Sequence, residues 1–443
     1  MSNVFVLDTM ERSLNPVHPG RARVLLSSGQ AAVFRYYPFT IILKKEVGSP
    51  VLHSLRLKID PGSKTTGLAM VNDASGEVVF AAELIHRGQA IKKRLDERRA
   101  ARRNRRNHKT RYRKPRFLNR RKPKGWLAPS LESRVANILT WTHRLMRYCP
   151  LAALSQEVVK FDIQAMEQPE IDGVEYQQGT LAGYEVREYL LEKWQRACAY
   201  CGKKDVPLQV EHIQARAKGG TDRVSNLCLA CEQCNAAKGI QDIRDFLKRK
   251  PEVLKRILAQ AKAPLKDAAA VNATRWALYE RLNTLGFPVE VGTGGRTKWN
   301  RVSRGLEKSH WIDAACVGAS TPETLRIAGV NPLLVTATGH GSRQMCLMDK
   351  YGFPRTKAKQ KQFTHSFHTG DIVQAIIPVP LNHAGVHGGR MSAKAKGGFT
   401  LTTAKGKITD VGRKYCRVLQ RSDGYGYHSA PVGAFLSSLS LKA

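Results

Sequence analysis

The sequence predicts a multidomain α/β protein, with a sheet-based core interrupted by a small cysteine-rich unit and followed by a basic β domain. Three observations carry that expectation. Leu55 to Ile59, Thr66 to Val71 and Val78 to Glu83 read as an antiparallel meander, with Asp60-Pro61-Gly62-Ser63 and Asn72 to Gly76 as its turns. Five of the nine cysteines lie between Cys198 and Cys234. From residue 320 onward the chain changes to short strands among Gly-rich turns, with 14 Lys or Arg against three Asp after Tyr351. At ~100 to 200 residues per domain, 443 residues allow two to four domains, and 42% hydrophobic content is enough to bury their cores. Wholesale disorder is excluded.

Taken in order, Val4 to Leu7 is strand-like, Pro16 to Gly20 is a turn, and Phe34 to Leu43 is a second apolar stretch. After the meander, which leaves Asp60 at a strand end, Lys92 to Lys124 holds 18 Lys or Arg against Asp96 and Glu97. Ile91 to Lys109 lacks Pro and Gly, so it is predicted helical, yet its charges point to every face. No hydrophobic core accepts such a helix; a nucleic-acid contact through Arg98, Arg99, Arg102, Arg103, Arg105 and Arg106 is favoured over a solvated linker. Leu131 to Tyr148 carries an apolar stripe at helical spacing that should cover a sheet, and Leu151 to Val159 reads as a buried strand with Glu157 near its end. Beyond the cysteine unit, Ile243 to Ala261 and Ala268 to Leu285 are predicted helical and Pro288 to Val291 a strand. Gly292 to Arg304 is predicted to be a loop, and a helix is expected from His310 to Gly318. Asp371 to Ile377, Phe399 to Thr403 and Tyr415 to Gln420 are the clearest strands of the last domain.

A formal net charge of +37 implies a polyanionic partner, because self-repulsion on this scale opposes the compact state. No run approaches the ~18 apolar residues of a spanning helix, and Asp8 and Glu11 stand where a signal peptide needs its apolar core. A cytoplasmic protein is expected. An odd number of cysteines, crowded together, points to metal in a reducing compartment rather than to disulfides.

Cys198-Ala199-Tyr200-Cys201 and Cys231-Glu232-Gln233-Cys234 are paired knuckles whose four thiolates can close a structural Zn²⁺ site. Cys228 has the same spacing to Cys231 and is a possible substitute ligand, though packing is the expectation. Between and after the knuckles lie Glu211-His212-Ile213, Gly219-Gly220-Thr221-Asp222, Asn226-Leu227 and Asn235-Ala236-Ala237-Lys238-Gly239. This array resembles the HNH nucleases, a ββα-metal fold. The resemblance implies that His212 is the general base, that Glu211 and Asn235 hold Mg²⁺, and that Asn226 supports the histidine. A hard cation with oxygen ligands and a base near neutral pKa suit phosphodiester cleavage.

Asp60, Glu157 and the pair His310 and Asp313 sit in the phrases Lys58-Ile59-Asp60-Pro61-Gly62-Ser63-Lys64-Thr65-Thr66-Gly67, Gln156-Glu157-Val158-Val159-Lys160-Phe161-Asp162 and Lys308-Ser309-His310-Trp311-Ile312-Asp313-Ala314-Ala315. These resemble the three RuvC segments of an RNase H-like nuclease, which would make all four residues catalytic metal-site residues. The order, with an arginine-rich helix after the first segment and HNH between the second and third, resembles the IscB family, transposon-encoded ancestors of type II CRISPR effectors. That resemblance implies an N-terminal module at 1–53, where Ser13-Leu14-Asn15-Pro16 stands for the family's Pro-Leu-Met-Pro. It implies RuvC segment I at 54–90, the bridge helix at 91–125, RuvC segment II at 126–185, HNH at 186–245, a linker with RuvC segment III at 246–320, and the basic C-terminal domain at 321–443. No large recognition lobe separates the basic helix from Glu157, so the RNA must supply much of the scaffold. Gln420-Arg421-Ser422-Asp423 is a candidate stretch for reading an adjacent DNA motif.

The function implied is RNA-guided cleavage of both strands of double-stranded DNA, HNH on the guide-paired strand and RuvC on the displaced strand. The protein would be a monomer in a ribonucleoprotein with a long structured guide RNA. The alternatives are an unguided HNH endonuclease of the homing type, needing a single centre, and a non-cleaving RNA-binding protein, against which two complete sites argue.

Overall fold

The computed structural model describes residues 2–108, 125–158, 187, 190–191, 193–261, 266–340, 346–357, 363–364, 366–393, 398–403 and 406–428. The latter part of the basic run, 109–124, and the stretch 159–186 lie outside the described residues. The chain divides into two compact units, one of residues 1–157, 277–292 and 296–443, the other of 158–276 and 293–295. Among the described residues no helix is long and apolar enough to cross a membrane.

The first unit is organised by a seven-stranded sheet, in spatial order Val289–Gly292, Leu151–Glu157, Leu55–Asp60, Thr65–Asn72, Val78–Ile85, Leu333–Ala337 and Tyr425–His428. The three central strands form the expected antiparallel meander, and Leu151–Glu157 joins its edge in parallel. Alternation along the strands gives the sheet two different faces. Leu57, Ile59, Leu68, Met70 and Leu84 pack with Val135, Ile138, Trp141 and Leu145 of the helix Pro129–Tyr148. The other face offers Ala69, Val71 and Ala81, and their small side chains let the short helix His310–Ala315 lie close, with Ala314 and Ala315 against the sheet.

Two buried donors hold that helix. Lys58, on the alternate face of the strand ending at Asp60, donates from Nζ to the Val317 carbonyl at 2.7 Å and to Ser320 Oγ and Thr321 Oγ1 at 3.2 and 3.1 Å. Burial pushes its pKa down to about 8, opposed by Glu290. Asn300 Nδ2 donates to the Cys316 and Gly318 carbonyls at 2.9 and 2.8 Å, so the carbonyls at the helix C-terminus have partners.

Asn300 also explains a correction. The stretch expected to be a loop from Gly292 to Arg304 contains a helix, Gly294–Ser303. Its two leading glycines and positive charge argue against helix on propensity alone, but Thr297 and Asn300 are buried on one side, and tertiary contacts outweigh the local preference. The single helix expected over Ile243 to Ala261 is two, Ile243–Phe246 and Pro251–Ala261, because Pro251 lacks the amide hydrogen that continuation requires.

The N-terminal residues form a four-stranded sheet, Ser13–Val17, Val4–Leu7, Thr40–Leu43 and Ala31–Arg35 in spatial order, with the helix Pro19–Ser27 on it. Near the other end, five antiparallel strands in the order Gly406–Gly412, Gly398–Thr403, Gly385–Ala393, Ile372–Ile377 and Cys416–Gln420 form a second sheet with its own core around Val373, Met391, Phe399 and Leu401.

Candidate active sites

Three distant sequence segments meet at one end of the large sheet. Ile59 is in register with Gln156 on the parallel neighbour, so the next residues, Asp60 and Glu157, end adjacent strands side by side. Across the other edge, Asp60 pairs with Gly67. A Cβ added at Gly67 would lie 1.8 Å from the His310 carbonyl oxygen and 3.1 Å from Ala314 Cβ. Only glycine there admits the start of the helix that carries His310 and Asp313. We predict that Gly67→Ala displaces this helix and destabilises the protein by roughly 1–3 kcal/mol, as overpacking against backbone does. A denaturation midpoint equal to that of the parent protein contradicts the close approach.

Asp313 Oδ1 lies 2.8 Å from Arg301 Nε of the helix Gly294–Ser303, both side chains being largely buried. The Arg301 N–H is not aligned as a hydrogen bond, so this is a charge contact. The ligand atoms of Asp60, Glu157, His310 and Asp313 do not form a group within 4.8 Å of one another; among the described residues the group that does is the cysteine cluster. Their chemistry, carboxylates with one imidazole, still matches a hard divalent ion.

In the second unit, Leu208–His212 and Leu227–Cys231 form an antiparallel pair with Leu227 opposite His212, and the helix Glu232–Lys238 follows. Side chains divide across the first strand. Gln209 and Glu211 meet the helix: Asn235 Nδ2 donates to Gln209 Oε1 at 2.6 Å, and Lys238 Nζ donates to Glu211 Oε1 at 2.6 Å. His212, on the alternate face, has Nε2 at 2.7 Å from Asp222 Oδ1. Asp222 is also gripped by Arg216, and these two partners, Arg216 first, hold its carboxyl below the usual range.

The structure therefore does not gather the three proposed chemical groups into one open cluster. Glu211 balances Lys238, which is 0% exposed and also donates to the His212 carbonyl at 2.8 Å. A fully buried ammonium demands such a partner. These bonds use one oxygen of Glu211 and the amide nitrogen of Asn235, leaving an oxygen on each for a cation. Asn226 does not touch the imidazole. It staples the loop between His212 and itself, accepting from the Gln214 amide at 2.9 Å and donating to the Gln214 and Thr221 carbonyls at 3.0 and 2.8 Å. Sequence reasoning missed Asp222 and Lys238. Both stand in the recognised phrases, but neither spacing nor residue type says which polar group faces the histidine or which lysine is buried.

Residues 4–179 match the family model for the RRXRR protein and residues 198–241 that for the HNH endonuclease. The chain thus carries an RRXRR segment and, after it, an HNH endonuclease segment. Its Arg102-Arg103-Asn104-Arg105-Arg106 spells the pattern from which the first family takes its name. Structural neighbours include the type II-C Cas9 enzyme from Actinomyces naeslundii, with TM-score 0.23 and 14% identity, covering 62% of this chain and 60% of that one. Another is Streptococcus thermophilus Cas9 in complex with the AGAA PAM, with TM-score 0.24 and 12% identity, covering 59% and 32%. The chain thus spans less than two thirds of either neighbour, and the assignment rests on the two family models. No curated protein matches the sequence.

Within the HNH segment, the Sγ atoms of Cys198, Cys201, Cys231 and Cys234 lie within 4.8 Å of one another. Cys201 and Cys231 are 3.8 Å apart, the edge of a tetrahedron with Zn–S bonds of ~2.3 Å. Burial opposes the Cys198 thiolate, but backbone N–H groups at Cys201, Cys231 and Tyr200 outweigh it and bring the pKa to about 7. The residues fit a thiophilic metal. Cys228 is outside the cluster, buried with its Sγ 3.6 Å from the Tyr200 hydroxyl, and burial pushes its thiol up to about 12.

The arginine-rich helix spans Gly88–Asn107, and Gly88 is its one buried residue. Arg98, Arg99, Arg102, Arg103 and Arg106 are exposed and Arg105 is half-buried. One edge is anchored: Asn104 Nδ2 donates to the Lys350 carbonyl, and His108 meets the Tyr351 ring at 4.5 Å. In the C-terminal β domain, the stretch considered for motif reading is occupied by the fold. Gln420 Oε1 accepts from the Tyr36 and Tyr37 amides, Arg421 pairs with Asp371, the Ser422 amide donates to Asp371, and Asp423 pairs with Arg35 and Arg144.

Proposed function

We propose that this HNH-family nuclease is an RNA-guided DNA endonuclease that cuts each strand of a matching duplex at a separate centre. The observation that carries the reading is the meeting of Asp60, Glu157 and the His310 helix at one sheet end, in a chain that also carries a separate HNH segment. A homing-type enzyme needs one centre. The reading assigns 54–90, 126–185 and the end of a linker-containing stretch, 246–320, to a split RuvC core, 186–245 to HNH, 91–125 to an RNA-contacting bridge helix, 321–443 to RNA and adjacent-motif contacts, and 1–53 to an N-terminal module. Guide pairing would select the target, and the protein would read heteroduplex shape.

Asp60, Glu157, His310 and Asp313 would hold Mg²⁺ at one centre and Glu211 with Asn235 at the other, and the cation supplies Lewis-acid stabilisation of charge on the phosphoryl oxygens. The four cysteines would hold Zn²⁺ and so fix the strand pair and helix of the HNH unit. His212 takes a proton from the attacking water. Asp222 favours the proton on Nε2, which makes Nδ1 the basic nitrogen and fixes the ring. Arg216 keeps Asp222 ionised. Lys238, by holding the His212 carbonyl and Glu211 together, sets the strand end from which the base projects.

The deciding experiment is to isolate the protein from its native host with its nucleic acid, sequence what co-purifies, and assay cleavage of a duplex matching that RNA. A discrete long RNA whose removal abolishes cutting is expected; efficient cutting by RNA-free protein favours the homing reading. The basic helix should carry much of the RNA affinity. Replacing Arg98, Arg99, Arg102 and Arg103 with Ala is expected to weaken binding and to flatten log K against log salt by roughly 0.7–0.9 for each phosphate that the helix no longer neutralises. An unchanged slope would make the helix a linker.

A further inference from the structure

The helix Gly294–Ser303 has one face locked into the fold and one face open. Thr297 and Asn300 are buried, Arg301 meets Asp313, and Arg304, just beyond the helix, donates to the Pro322 carbonyl at 2.8 Å. At the alternate spacing, Arg296, Trp299 and Val302 follow one another at i, i+3 and i+6 along the outer face. Trp299 is 62% exposed and Val302 59%. The Arg296 guanidinium sits 5.7 Å from the Trp299 ring centroid, and Lys298 is exposed beside it.

A large indole left in water on a helix this firmly held is unusual, because Trp buries more apolar area than any other side chain when it has a partner. What surrounds it limits the partner. From Arg296 to Lys308 there are four Lys or Arg besides Arg296 itself against Glu307 alone, so the occupant is anionic. An indole face needs a flat π surface, and in a DNA duplex those surfaces are already stacked. We propose that Trp299 is a stacking platform for an unpaired base of the DNA strand entering the carboxylate centre, with Arg296 and Lys298 on its phosphates. This rests on the reading of that centre as a nuclease site. Platform and centre share one helix, since Arg301, on the locked face, is the side chain against Asp313 while Trp299 stands on the open face. Trp299 is a positioning residue: it holds the strand and does not touch the scissile phosphate.

The experiment uses the full chain with its RNA, Mg²⁺ and a duplex labelled separately on each strand. Trp299→Ala is expected to slow cleavage of the strand cut by the carboxylate centre about 5- to 150-fold, the worth of one stacked base (about 1–3 kcal/mol). The other strand should be cut at the parent rate, and Trp299→Phe should restore most of the loss because it keeps a π face. In parallel, a single-stranded oligodeoxynucleotide carrying 5-iododeoxyuridine is irradiated with the parent protein, and the cross-linked peptide is expected to contain Trp299. Equal slowing of both strands, or no rescue by Phe, would show a structural role and overturn the proposal. Unaltered cleavage in Trp299→Ala, or a cross-link that never maps to 294–303, would overturn it as well. Asp60→Ala separates the two claims: if it spares both strands, the nuclease reading of the centre fails, while the cross-link still decides the platform.

Discussion

His212→Ala is expected to lose cleavage of one DNA strand and Asp60→Ala cleavage of the other, each leaving a nickase. Loss of a general base alone lowers the rate ~10²- to 10⁴-fold. The prediction follows from the chain's division: His212 lies on the strand Leu208–His212 of one compact unit, Asp60 at a strand end of the other. Neither change creates a buried cavity, so both proteins should fold and bind target. The double mutant should bind without cutting. Separate labels on the two strands, in the presence of guide RNA and Mg²⁺, read the result directly. If His212→Ala stops cleavage of both strands while target binding persists, a single-centre enzyme becomes the better account. Asp222→Asn should lower the HNH-side rate with less effect than His212→Ala, because it removes the carboxylate charge that orients the ring but leaves the base.

Freshly purified protein is expected to hold one Zn²⁺ per chain, and Cys201→Ser should selectively unfold the HNH unit. Zinc binding in small knuckle domains is worth about 10–16 kcal/mol, more than the core of such a unit supplies by itself. Cys201 is well placed for this test because its Sγ faces Cys231 at 3.8 Å across the cluster while the residue itself is exposed, so the substitution removes a ligand without leaving a cavity. Limited proteolysis should then cut within 198–241 while fragments of the first unit persist. A metal analysis without zinc, on soluble and active protein, contradicts the assignment.

Much of the large sheet was legible because its information is local. Short apolar and β-branched runs mark Leu55–Asp60, Thr65–Asn72 and Val78–Ile85 as strands, and turn residues separate them. The helix Pro129–Tyr148 advertises its buried stripe in the same way. Cysteine pairs at fixed spacing declare a metal-ready cluster, since four thiols in two knuckles have few other uses. The failures share a cause. The helix Gly294–Ser303 has poor local propensity and exists because Thr297 and Asn300 are buried by residues distant in sequence, a contact no window of the chain contains.

At the candidate centres the same boundary holds. Residue type and order alone singled out Asp60, Glu157, His310, Asp313 and the HNH array as the candidate groups for phosphodiester chemistry. Tertiary structure decided which of them meet and what else they touch. It brings Asp60 beside Glu157 through strand register and sets the His310 helix over Gly67, the residue paired with Asp60. It gives Glu211 to Lys238, His212 to Asp222 and Asp313 to Arg301. The reason is the range of the forces: periodicity and chelate spacing act over a few residues of chain, whereas a charge taken out of water is partnered by whatever the fold places within ~4 Å of it, however far away in sequence.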